Sequence, residues 1–187
     1  MNNKYELTDE TKNVGNIVLH RIRALRDIPK FGLKAGDLGG WIESESNLSQ
    51  DGDAWVSGDA KVSGNAWVSG NARVSGDAWV FGDAKVFGYA EVSDNAWVFG
   101  NAWVSGNARV FGDADYMTFK NSWSSGRWFT YTRSNKMWAV GCFCGTSEEL
   151  IKKAYADSEL SGKCYEAIVR AVEAIEAAKA EAKGEAK

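Results

Sequence analysis

The feature that most constrains this chain is a six-residue word, Gly-Asp/Asn-Ala-x-Val-Ser/Phe, repeated without a gap from Gly52 to Asp113. Alanine fills one column without exception, from Ala54, Ala60 and Ala66 to Ala102, Ala108 and Ala114, and valine fills another from Val56 to Val110. The glycine column fails once, at Asp94, and the Asp/Asn column fails once, at Tyr89. Eleven alanines at a spacing of six cannot come from composition alone.

Each column has a physical reading. Within a word, Ala-x-Val-Ser/Phe alternates sides as a short strand must, so Ala and Val point inward while x and Ser/Phe point outward. Gly followed by Asp or Asn is corner chemistry, because Gly accepts positive φ and Asn or Asp bonds its own backbone. One word is therefore a strand plus a corner, and three words close a triangular coil. Coils should stack at the strand spacing of about 4.8 Å. Six-residue repetition marks a parallel β-helix, and the expected fold is a left-handed one of about three and a half coils. The competing arrangement is a right-handed or four-sided solenoid. A disordered tract does not suit columns that bury this much apolar surface.

A solenoid needs caps at its open ends, and the flanks suggest three regions: an N-terminal β cap and lead-in coil (1–50), the β-helix (51–115), and a C-terminal hairpin with two helices (116–187). Ile17–Leu25 reads as a strand running into a turn at Pro29–Gly32. Ile42, Leu48 and Ala54 lie six apart, so coiling should begin before the regular words. Arg127–Thr132 and Met137–Phe143 read as strands joined at Ser134–Lys136. Thr146 and Glu149 fit a capping box opening a helix to about Ala156. A second helix carries Tyr165, Ile168, Val169, Val172 and Ile175 on one face, and its tail from Glu176 is expected to fray.

Composition narrows the function. The net charge of −3 gives no basic footprint for nucleic acid, so no sequence-specific nucleic-acid partner is expected. No run approaches the roughly 20 apolar residues of a membrane span, and no signal peptide is visible, so a soluble, cytoplasmic protein is expected. Cys142, Cys144 and Cys164 are an odd number and suit free thiols. With His20 the only histidine, neither a metal nor a cofactor is expected.

The segments Leu19–Asp27, Gly36–Glu43, the repeated words and Gly141–Thr146 followed by Glu148 and Glu149 together resemble a family of uncharacterised phage and prophage proteins. The resemblance spans nearly the whole chain. It implies a mobile-element origin and a left-handed β-helix, and it transfers no catalytic residue. Many left-handed β-helix proteins are acyltransferases that use a histidine as general base, and acid–base chemistry needs a group with a pKa near 7. The words contain neither His nor Cys, and Asp53, Asp59, Asp77, Asp83 and Asp113 occupy the corner column. A non-enzymatic protein is the expectation, with an acyltransferase-like enzyme dependent on His20 as the alternative.

Winding three words per coil sorts the outward residues onto three walls. The first stacks Trp55, Arg73, Glu91 and Arg109, a solvated charge ladder. The second stacks Lys61, Trp79 and Trp97 beside Ser63, Phe81 and Phe99. Trp79, Phe81, Trp97 and Phe99 should form an aromatic square large enough to demand a cover. The favoured cover is a second copy, giving a homo-oligomer and preferably a trimer; a folded-back terminus or a different partner would also serve. The third wall alternates Trp67, Lys85 and Trp103, and Trp123, Arg127, Trp128, Tyr131 and Arg133 repeat the mixture. A structural cation–π ladder accounts for this, and so does a nucleotide site built on Trp67, Lys85, Trp103, Arg127, Trp128 and Arg133. The functional expectation is a phage-encoded counter-defence protein that blocks a host immune protein or sequesters a nucleotide signal. The alternative is a virion structural or assembly component.

Overall fold

In the computed structural model, which describes residues 4–185, the chain divides into two compact units, Met1–Cys144 and Gly145–Lys187. The first is a mainly-β parallel solenoid of about four turns. It opens with β1 (Tyr5–Val14), β2 (Ile17–Ala24) and β3 (Leu38–Ile42). Ten two-residue strands follow at six-residue spacing: β4 (Trp55–Val56), β5 (Lys61–Val62), β6 (Trp67–Val68), β7 (Arg73–Val74), β8 (Trp79–Val80), β9 (Lys85–Val86), β10 (Glu91–Val92), β11 (Trp97–Val98), β12 (Trp103–Val104) and β13 (Arg109–Val110). Each pairs in parallel with the strand three words away, Trp55 with Arg73 and Trp79 with Trp97, so one turn takes eighteen residues.

The inward columns are closed to solvent: every Ala from Ala54 to Ala108 and every Val from Val56 to Val110 is at most 1% exposed. At about 25 cal/mol per Å² of buried apolar surface, this small-residue stack is the core of the solenoid. Corner glycines sit at positive φ directly above one another. A Cβ on Gly88 (φ 74°) would lie 3.0 Å from the backbone nitrogen of Gly106. Asp94 takes the same left-handed corner at φ 56°, a conformation Asp tolerates better than most residues.

Coiling does begin before the regular words, though in a shifted register. Ile42 pairs with Val62 and Leu48 bridges Val68, so both fill the valine column at an offset of twenty residues. They are therefore not in line with Ala54. Gly39 and Gly40 permit the approach, since a Cβ on either would come within 2.7 Å of a carbonyl oxygen, of Val56 or Ala60 respectively. The antiparallel pair β1–β2 then extends one wall into a six-stranded sheet, β1-β2-β3-β5-β8-β11. The other walls are β13-β10-β7-β4 and β12-β9-β6.

Between turns, outward residues and those after valine donate forward, as Trp55 N–H does to the Ala72 carbonyl (3.0 Å) and Ser57 N–H to that of Val74 (2.9 Å). The first turn is thus left with carbonyls to satisfy and the last with N–H groups. At the N-terminal edge, Asn47 Nδ2 donates to Gly64 and Ala66 (2.9 Å each), and the buried Lys4 ammonium donates to Ala54 (2.8 Å). At the C-terminal edge, side-chain oxygens accept: Asp113 from Trp97 N–H (2.8 Å), Thr130 from Trp103 (2.9 Å), Ser134 from Arg109 (2.6 Å) and Asp115 from Phe111 (2.8 Å). The Tyr116 hydroxyl donates to the Trp97 carbonyl at 3.0 Å.

These C-terminal groups come from a short 3-10 turn (Asp113–Asp115), from a sheet of β14 (Tyr116–Lys120), β15 (Trp128–Thr132), β16 (Met137–Val140) and β17 (Phe143–Gly145), and from the turn between β15 and β16 that holds Ser134. The expected hairpin is β15–β16, and the structure embeds it in four strands. Ala114, in line with the alanine column, leaves the coil and is exposed. Phe129, Tyr131 and Trp138 form the buried heart of this sheet, with the Tyr131 and Trp138 rings 5.0 Å apart.

The second unit holds two packed helices, α1 (Ser147–Asp157) and α2 (Glu159–Glu185). Thr146 caps α1 as expected, its hydroxyl accepting from Glu149 N–H (3.3 Å) while Glu149 accepts from Thr146 N–H (2.9 Å). Val169 and Val172 are buried, whereas Ile175 is exposed. Helix α2 continues to Glu185 through the segment expected to fray, which is rich in the strong helix formers Ala, Glu and Lys.

Two outcomes test the end chemistry. Asp113→Ala leaves the Trp97 N–H without its acceptor and should cost about 1–2 kcal/mol in urea unfolding, while Asp113→Asn keeps an acceptor and should lose less. Burial, aided by the Arg26 charge, lowers the Lys4 pKa from 10.5 to about 8. Between those values the unfolded chain holds a proton that the folded one lacks, so stability should rise from pH 8 to pH 10 by at most about 1.4 kcal/mol per pH unit. Above pH 10 the gain should reverse, because burial pushes the Tyr5 phenol well above its usual range. Unfolding curves of Lys4→Met should lack the rise.

Candidate functional site

The outward residues of the six-stranded wall stand in one row. Arg21 pairs with Trp41, Trp41 with Lys61, Lys61 with Trp79 and Trp79 with Trp97. The N-terminal half of the row satisfies itself. Lys12 and Arg21 lie 5.1 and 5.4 Å from the Trp41 ring. Asp59 accepts from Trp41 Nε1 and from Lys12, both at 3.3 Å, and these bonds hold its carboxyl below the usual range.

The C-terminal half is the aromatic square, and the structure brings all four rings together. Centroids are 4.9 Å apart for Trp79–Phe81, 5.7 Å for Trp79–Trp97, 6.1 Å for Phe81–Trp97 and 5.4 Å for the stacked Phe81–Phe99 pair. Trp79 spends its indole N–H on the Ser63 hydroxyl at 3.0 Å. Trp97 and Phe99 each remain 48% exposed, so about half of each residue is open on this wall.

On the third wall, Lys85 lies between Trp67 and Trp103 in register, with its ammonium 4.8 Å from the Trp103 ring. A contact of this kind contributes about 0.5–1 kcal/mol when exposed. Trp103 also meets the C-terminal sheet: with Asn101, Arg127, Trp128 and Gly141 it lines a cleft of about 170 Å³. Three of the six residues expected to form a ligand site therefore converge, and Lys85 touches one of them. Trp67 lies two turns from Trp103 and lines no part of this cleft. Arg133 also stands outside it, beyond the end of β15, where its backbone N–H donates to Asp115.

The first wall carries the solvated Arg73-Glu91-Arg109 ladder expected of it, and departs from expectation only at Trp55. Glu91 and Arg109 do form an ion pair (3.7 Å), yet Trp55 is only 1% exposed and shares one buried cluster with Tyr5 and Ile28, with Phe31 and Leu33 packed against it. The turn around Pro29–Phe31 covers the N-terminal end of this wall. The sequence held one signal of this, the Tyr89 break in the corner column, since Lys30 from that turn stacks on Tyr89.

His20 is half-buried on β2 opposite Thr11 and Ile42, and Cys142 and Cys144 are exposed. Among the described residues no group of three His, Cys, Asp or Glu side chains is arranged to hold a metal ion, and no helix is long and apolar enough to cross a membrane.

Residues 66–82 match the family described as YdcK Beta solenoid repeat. That stretch holds β6, β7 and β8, one strand from each wall, and so represents a single turn. Comparison with curated proteins gives no match. The likeness shows a β-solenoid repeat within this chain.

Proposed function

We propose that this protein is a non-enzymatic binding scaffold, a left-handed solenoid of six-residue words that associates through its aromatic wall into a parallel homotrimer. The observation that carries the reading is the square of Trp79, Phe81, Trp97 and Phe99, packed ring on ring, with Trp97 and Phe99 still 48% exposed. Rings of this size bury roughly 150–250 Å² each when covered, and the open parts of Trp97 and Phe99, continuous with the partly buried Trp79 and Phe81, form an apolar patch that a partner surface would cover. The rings already support one another, so little side-chain freedom remains to be lost when a second surface arrives. Self-association suits a wall of in-register strands, because identical rows can meet along their length.

The resemblance to phage proteins points the assembled scaffold toward counter-defence, by occluding a host immune protein or holding a nucleotide signal. The cleft of Trp103, Arg127 and Trp128 favours the second role, since it offers flat rings beside a guanidinium.

Light scattering tests the assembly. The wild type should show about three times the 20.4 kDa chain mass, and the Trp97→Ser, Phe99→Ser double variant should fall to one chain with an unchanged circular dichroism spectrum. A wild type that runs as a monomer at micromolar concentration overturns the self-interface.

A further inference from the structure

The Asp/Asn column of the repeat has one exception, Tyr89. The coil does not require it. Tyr89 N–H bonds the Gly106 carbonyl at 2.7 Å, the same corner bond that Asn71 N–H makes to Gly88 at 2.7 Å. Its ring packs into no core and is 68% exposed, more than any other large hydrophobic side chain among the described residues.

What the ring does contact is Lys30, whose ammonium lies 4.2 Å from the Tyr89 centroid and donates to the Asn71 carbonyl at 3.3 Å. That ammonium is also 5.6 Å from the Phe31 ring, and the Arg73 guanidinium lies 5.7 Å from the same ring. Two cations from separate parts of the chain thus flank one aromatic residue. Together with Asn71, Tyr89 and Glu91 they line a cleft of about 290 Å³. Glu91, the carboxylate in this lining, pairs with Arg109 at 3.7 Å. Neither Lys30 nor Arg73 has a carboxylate within 4 Å among the described residues, so the cleft holds a surplus of positive charge in a chain of net charge −3.

We propose that this cleft binds a phosphate ester carrying a flat ring, of mononucleotide size. The phosphate is held by Lys30 and Arg73 at the cleft lining, where the guanidinium can offer paired donors to its oxygens. The ring stacks on Tyr89, as bases stack on exposed aromatic side chains. The volume of about 290 Å³ lies just under the range for ligand clefts, about 300–1,000 Å³, which restricts the ligand to about one nucleotide. A polynucleotide would need a continued basic track, and the net negative charge opposes one. This inference is independent of the aromatic wall and of the Trp103 cleft.

Isothermal titration with adenosine 5′-monophosphate, inorganic phosphate and adenosine tests it. The monophosphate should bind at least about tenfold more tightly than either half alone. Tyr89→Asn, which restores the residue type of the repeat, and Arg73→Ala should each weaken it about tenfold or more, with the circular dichroism spectrum and the light-scattering mass unchanged. No heat with the monophosphate overturns the proposal, as does equal affinity for inorganic phosphate. Binding that survives both substitutions and disappears in Arg127→Ala also overturns it, by moving the ligand to the other cleft.

Discussion

The structure depends on the ladder of backbone hydrogen bonds that joins each turn to the next. Two-residue strands are too short to hold by themselves, and each is fixed because the strands eighteen residues before and after it carry the same word. The ladder repeats perfectly and therefore has no reason to stop. Ends must be imposed by chemistry outside the repeat, and here they are. Asn47 and Lys4 bring donors to the carbonyls of the first turn, while Asp113, Thr130, Ser134 and Asp115 bring acceptors to the N–H groups of the last. Such groups occupy positions of the ladder where another strand would otherwise join edge to edge.

With inward positions restricted to Ala and Val, all individuality is displaced outward. The three walls share a backbone and differ in what covers them. One is buried at its N-terminal end by the turn around Phe31, one meets the C-terminal sheet at Trp103, and one carries the open square of rings. Both clefts arise where a segment outside the repeat crosses a wall, because a flat wall alone has no concavity. The square of Trp79, Phe81, Trp97 and Phe99 lines neither of these clefts.

Much of this was legible in the sequence, for a physical reason. The period of six couples strand alternation to corner glycines, so the winding, the inward columns and the membership of each wall follow from counting. The contact among Trp79, Phe81, Trp97 and Phe99 follows as well. The rest depended on tertiary placement. Strand β1 escaped notice because Tyr5–Val14 is mostly polar and forms a sheet edge with little apolar alternation. The shift that puts Ile42 and Leu48 in the valine column comes from two extra residues before the first regular word, which equal spacing concealed. The burial of Trp55 and the site at Tyr89 both require knowing where residues 28–33 fold. The break at position 89 was visible, and its meaning was not.

The restriction to whole words also governs how such a body can change length. Duplicating three words would lift the C-terminal lid by one strand spacing, about 4.8 Å, and return every wall to its own side. Duplicating a single word would rotate the lid by a third of a turn and deal Trp, Lys and Arg to new neighbours, though the Ala and Val lining would be undisturbed. The lining thus tolerates lengthening by one word while the outer surface does not, and a lineage could reshuffle its exterior by slippage within the gene without endangering its fold.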